Sequence, residues 1–224
     1  MTIFGTDVDR PEGLTYAVVL TRADRDAVVD ALTAERFSGW VGPVDAGWVV
    51  AVPETPLGHV AARRQHVEEV AGTLSAAVGT PVVVVIVTRD ELLQLWAWDG
   101  TAVVAEYVSD PSVADPDDES AAWSGPTGVH EAPALAALAG RPEAADAVGE
   151  LLGEELGESE HESERLMALA RALGWPEWLV AVDSLPRRVP GGPDADAFLR
   201  LRAGRTGAAG LLAARAAKVV RRDH

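Results

Sequence analysis

The sequence predicts an α+β fold: an antiparallel or mixed sheet with two helices on one face, followed by a mainly helical C-terminal region. Three observations carry this prediction. The first 109 residues alternate between β-branched apolar runs and Gly/Pro/Asp turn signals. Two stretches with helical spacing interrupt those runs. From residue 131 the pattern becomes helical and stays so for most of the remaining chain.

Residues 15–20, TYAVVL, form the first expected strand. Asp24–Ala34 follows with Val28, Val29 and Leu32 on one face and Asp24, Asp26 and Asp30 on the other, and Thr21 or Asp24 serves as its cap. In FSGWVGPVDAGWVVAVP, two Trp-bearing strands flank a Gly-Pro-Val-Asp-Ala-Gly turn, the pattern of a β-hairpin that Pro53 and Pro56 terminate. Residues 57–78 then read as one long helix, with His59, Val60, Val67 and Val70 on a stripe and Arg63, Arg64, Glu68 and Glu69 on a solvated face. A three-strand meander comes next. Val82–Thr88 is continuously apolar, as in a strand buried on both faces. Arg89-Asp90 makes a tight turn, Leu92–Trp98 alternates, and Asp99-Gly100 signals a hairpin leading into Thr101–Val108. The first six elements follow the order of a ferredoxin-like split βαβ unit, an order that implies no particular activity.

Residues 110–130 read as an acidic Pro/Gly/Ser linker or long loop between a sheet domain, 1–109, and a helical region, 131–224. Packing of the second onto the first as one domain is left open. Three helices are expected within 131–140, 142–156 and 162–174, with Pro142 in a first turn and Gly174 as a stop. A short strand is expected over Leu179–Val182, and a terminal helix over 207–222.

Charge is segregated along the chain. Residues 110–164 carry fifteen acids against Arg141 alone, whereas residues 165–224 carry eleven basic residues against five acids, within an overall net charge of −16. Such a balance disfavours nonspecific binding to nucleic acid or anionic membrane by the body of the protein. There is no Cys, which excludes disulfides, thiolate metal sites and Cys nucleophiles. The longest apolar run, Val82–Val87, is too short to span a bilayer, and the N-terminus lacks a secretory pattern, so the expected location is cytoplasmic. Heavy use of Ala, Gly, Val, Arg and Asp points to a GC-rich bacterial genome.

Two groups of residues are candidate binding sites. Trp96 and Trp98 share one face of a strand. They form either an aromatic platform for a peptide or small ligand, or core beneath the C-terminal helices, and the energetics of aromatic burial favour the second. Arg187, Arg188, Arg202 and Arg205 stand among glycines, a composition suited to gripping phosphate or carboxylate groups. Pairing of these arginines with the acidic middle of the chain is the competing reading. The acidic run Glu154–Glu164 around His161 reads as a solvated link rather than a cation site. His59 and His66 sit seven residues apart on the expected long helix, poorly spaced for one metal. No catalytic motif, metal site or cofactor site is expected. The leading expectation is a non-enzymatic protein-interaction module, of adaptor or toxin-neutralising type, whose partner is another protein. The alternative is a hydrolase, transferase or sensor that holds a phosphorylated or carboxylated ligand with Arg187, Arg188 and Arg205, and in which Asp183 would act as base.

Overall fold

Strand β1 (Tyr16–Thr21) occupies the middle of a seven-stranded sheet, and every one of its residues is buried. A computed structural model describes residues 13–114, 125–154 and 161–205 of the 224. Helix α1 (Arg25–Ala34) follows β1, capped by the Asp24 carboxylate, which accepts from the N–H groups of Asp26 and Ala27. Strands β2 (Gly39–Val41) and β3 (Val49–Pro53) form the Trp-bearing hairpin. Helix α2 (Val67–Val78) leads to the meander of β4 (Val82–Thr88), β5 (Leu92–Asp99) and β6 (Ala102–Val108). Four further helices follow: α3 (Pro111–Ala114), α4 (Ala132–Leu138), α5 (Ala145–Gly153) and α6 (Glu162–Leu173). A final strand, β7 (Leu199–Leu201), returns to the sheet.

The strand order is β6-β5-β4-β1-β3-β2-β7, and each neighbouring pair is antiparallel. Its β4-β1-β3-β2 core interleaves two βαβ units: β3 lies between β1 and β2, and β1 lies between β3 and β4. One sheet face packs Val19, Val82, Val84 and Ile86 against Val28 and Leu32 of α1 and Val67, Val70 and Leu74 of α2. The opposite face packs Val18, Leu20, Val83 and Val85 against Leu135 of α4, Leu152 of α5 and Leu166 and Leu169 of α6. Two covered faces are why β4 is an unbroken apolar run.

Three local expectations are corrected. The helix expected over 57–78 begins only at Val67. Glu69 Oε2 accepts from the His66 N–H at 2.8 Å, which starts the helix there, and Arg63 and Arg64 upstream take left-handed backbone angles that no α-helix accommodates. His59 and His66 therefore share no helix, although their rings stack with centroids 4.6 Å apart. Leu179–Val182 is not a strand: it lies inside a 3-10 segment, Glu177–Ser184, that buries Trp178, Leu179 and Val182 beneath the sheet. The strand in this region is β7, whose three residues pair with β2. The expected helix over 207–222 lies outside the described residues. Among the described residues no helix is long and apolar enough to cross a membrane.

Candidate functional site

Helix α1 ends in a short strap, Glu35–Ser38, and two reverse turns clamp that strap from either side. On one side Glu35 O accepts from Ala62 N at 2.8 Å, and Ser38 N donates to Val60 O at 2.8 Å. The turn here is Arg63-Arg64, with φ of 57° and 60°, closed by Gln65 N donating to Ala62 O. On the other side Phe37 O accepts from Gly204 N at 2.8 Å, and Ser38 Oγ accepts from Ala203 N at 2.9 Å. The turn here is Ala203-Gly204, with φ of 49° and 69°; Arg202 and Arg205 close it by exchanging both backbone hydrogen bonds. Gly204 is required: a Cβ on it would come within 2.3 Å of Thr33 O and 2.8 Å of the Arg36 Cα.

The consequence is a basic pole. Arg36 lies on the strap, Arg63 and Arg64 on the first turn, and Arg202 and Arg205 flank the second. All are exposed except Arg202, which is half-buried. Arg36, Arg63, Arg64 and Ala203 all hold positive φ, four of the seven such non-glycine residues described, so left-handed backbone strain is concentrated here. Three nearby carboxylates are already engaged: Glu35 on the strap itself with the Gln65 amide, Glu69 with the His66 N–H, and Glu54 with Arg200 at 2.6 Å. No ion pair among the described residues involves any of the five arginines.

Arg202 and Arg205 thus come together, joined by Arg63 and Arg64, expected on the solvated face of a helix, and by Arg36, to which the sequence assigned no role. Arg187 and Arg188 are exposed in the loop after the 3-10 segment and share no hydrogen bond or ion pair with them among the described residues. Arg188 faces Asp194 at 3.9 Å, and Arg200 pairs with Glu54. Neither acid belongs to residues 110–164, so these pairs are not the expected match with the acidic middle. The sequence holds a signal for the later helix start in Glu69, three residues after His66 as in a capping box, and none for the Arg63-Arg64 turn itself.

Trp96 and Trp98 are half-buried, and they lie on the α1/α2 face rather than under the C-terminal helices. Trp98 packs against Gly72 of α2, where a Cβ would meet the indole at 2.9 Å. The cross-strand partner of Trp96 is Glu106, and that of Trp98 is Val103; both partners are exposed.

Asp183 lines a cavity of about 160 Å³ with Tyr16, Trp40, Glu54, Val182 and Leu185. An open groove past Gly13, Leu14 and Arg89 shares Thr15 and Asp183 with it. Arg187, Arg188 and Arg205 are not among the lining residues of either.

The groups with the most altered proton affinity are Tyr16, Tyr107 and Glu162, and burial raises all three. Tyr16 shares a 3.0 Å hydrogen bond with Ser163, and Tyr107 donates to Leu152 O at 2.9 Å. Both bonds tie strands to the C-terminal helices. A Tyr held protonated in this way suits a structural donor rather than a base. Among the described residues no group of three or more His, Asp or Glu is placed to hold a metal ion. No protein-family model, curated protein or solved structure matches this chain.

Proposed function

We propose that the chain is a protein-interaction module that engages an acidic surface of another protein through the basic pole. The observation that carries this reading is the convergence of Arg36, Arg63, Arg64, Arg202 and Arg205 around one strap, from three segments distant in sequence. Guanidinium groups stay charged at any physiological pH and grip carboxylates through two parallel hydrogen bonds. The pole presents them on turns rather than inside either cavity, which fits a broad macromolecular surface better than an enclosed small ligand. A chain of net charge −16 repels every polyanion at long range, the densely charged nucleic acids most strongly, while a local cluster acts over roughly 8–10 Å at ordinary ionic strength.

The test uses poly-glutamate as the acidic polypeptide and duplex DNA as its competitor, near physiological salt. The combined exchange Arg63→Glu, Arg64→Glu and Arg205→Glu is expected to weaken poly-glutamate binding about tenfold or more. Arg187→Glu with Arg188→Glu should leave it nearly unchanged. Equal loss from both variants would remove the pole as the contact surface. Tighter binding to DNA than to poly-glutamate would replace the protein reading with a nucleic-acid one.

A further inference from the structure

Among the described residues arginine stands over tryptophan at two positions, and one of these shows what a third tryptophan, Trp96, accepts. On the outer β2/β7 edge, Arg200 stands directly opposite Trp40 in the strand register. Its guanidinium lies 4.9 Å from the indole centroid and pairs with Glu54 at 2.6 Å. Arg22 covers Trp48 in the same manner at 4.7 Å. Toward the other edge of the sheet, Trp96 of β5 stands directly opposite Glu106 of the outer strand β6. The indole is half-buried and the carboxylate exposed, with Val103 exposed one step along the same face. The indole and the carboxylate are present, and among the described residues no arginine lies over this ring.

We infer that the Trp96–Glu106 niche receives an arginine side chain from a partner protein. The indole face attracts the guanidinium plane, and the carboxylate supplies the charge-assisted hydrogen bond, the same division of labour that Trp40 and Glu54 provide to Arg200. Arginine is favoured over lysine because its planar group stacks and bonds at once. Charge complementarity names the wider chemistry: a segment carrying arginines is drawn to a chain of net charge −16. The segment meets the face of the sheet rather than extending it. The edge of β6 is guarded by a bulge at Ala97/Trp98 and by Thr127, which exchanges both backbone hydrogen bonds with Val108.

The niche and the basic pole lie toward opposite edges of the sheet. Six strand steps of about 4.8 Å separate β6 from β7, roughly 29 Å in all. One partner at each end is the geometry of an adaptor. The niche stands on its own observations, and its failure would leave the pole reading untouched.

The full-length chain is titrated with a soluble Arg-Gly repeat peptide while the indole N–H resonances are followed by NMR. The expected result is a shift confined to Trp96 and Trp98. Glu106→Gln, an exchange at an exposed position, should weaken the affinity about fivefold, and Arg63→Glu with Arg64→Glu should not weaken it. A Lys-Gly repeat should bind more weakly than the arginine peptide. Equal affinity for both repeats, an unchanged affinity in Glu106→Gln, or shifts centred on other tryptophans would each overturn the inference.

Discussion

Among the described residues, Glu162 and Arg165 are the two charged side chains buried most deeply, each 4% exposed, in the first turns of α6. Arg165 donates to the Tyr107 hydroxyl and to Glu154 O, and its Nε lies 3.5 Å from Glu162 Oε2. Burial holds the Glu162 carboxyl above its ordinary range, with the Ser109 hydroxyl and Arg165 opposing that rise. Tyr107 is likewise pushed up, to about 12, by burial. A carboxyl raised on folding binds its proton more tightly in the native chain. It therefore stabilises the fold at low pH, and that contribution is lost as pH rises from the unfolded value, about 4.3, through the raised folded value. Glu162→Gln mimics the protonated form at every pH. Urea unfolding from pH 4 to 8 should show the stability difference moving in favour of Gln as pH rises, then levelling once Glu162 is fully ionised. A difference that stays constant with pH would show that Glu162 titrates alike in the folded and unfolded chain, so that burial does not raise it.

Elements declared themselves in the sequence where their signals were local. The Asp24 cap, the left-handed Gly174 stop and the Arg89-Asp90 turn all rest on residues within a few positions of each other. The misread elements depended on distant partners. Glu177–Ser184 has the apolar content of a strand, yet it lies under the sheet because Trp178 is claimed from three directions. Trp178 meets Phe198 edge-on at 5.6 Å, donates from Nε1 to Asp45 Oδ2 at 2.7 Å, and packs on Gly192, where a Cβ would fall 2.8 Å from its Cγ. Trp178→Ala is expected to cost about 3–5 kcal/mol in chemical unfolding. Trp178→Phe, which keeps most of the packing and loses the indole hydrogen bond, should cost clearly less. A loss below about 1 kcal/mol for the alanine variant would mean that this segment does not hold the β2–β3 loop to the lead-in of β7.

Across the whole molecule, the net charge and the basic pole act at different ranges. A chain of −16 repels an acidic partner at a distance, whereas the pole attracts it in contact. Affinity for poly-glutamate should consequently rise with the first additions of salt, as long-range repulsion is screened, and fall at high salt, as the contact pairs are screened. A steady decline from the lowest salt upward would show that the pole alone governs the approach.

The order of strands and helices, the burial of β4 on both faces and the turn positions were legible because each is written in residues near one another, through a two-residue or 3.6-residue period. Of the candidate site, Arg202 and Arg205 could be named from their glycine-rich surroundings, but Arg36, Arg63 and Arg64 could not. They meet the others only because β2 accepts β7 on its outer side, and because bonds such as Ala203 N to Ser38 Oγ span 165 residues. Which sheet face takes Trp96 and Trp98 was decided in the same way, by the register of β5 on β4 and the seat of α2 above it. Periodicity is a property of neighbours along the chain, so the sequence by itself determined those elements whose signals are local. Convergence depends on strand order and long-range hydrogen bonds, so only the tertiary structure decided which arginines meet at the strap and which tryptophan stands opposite the exposed Glu106.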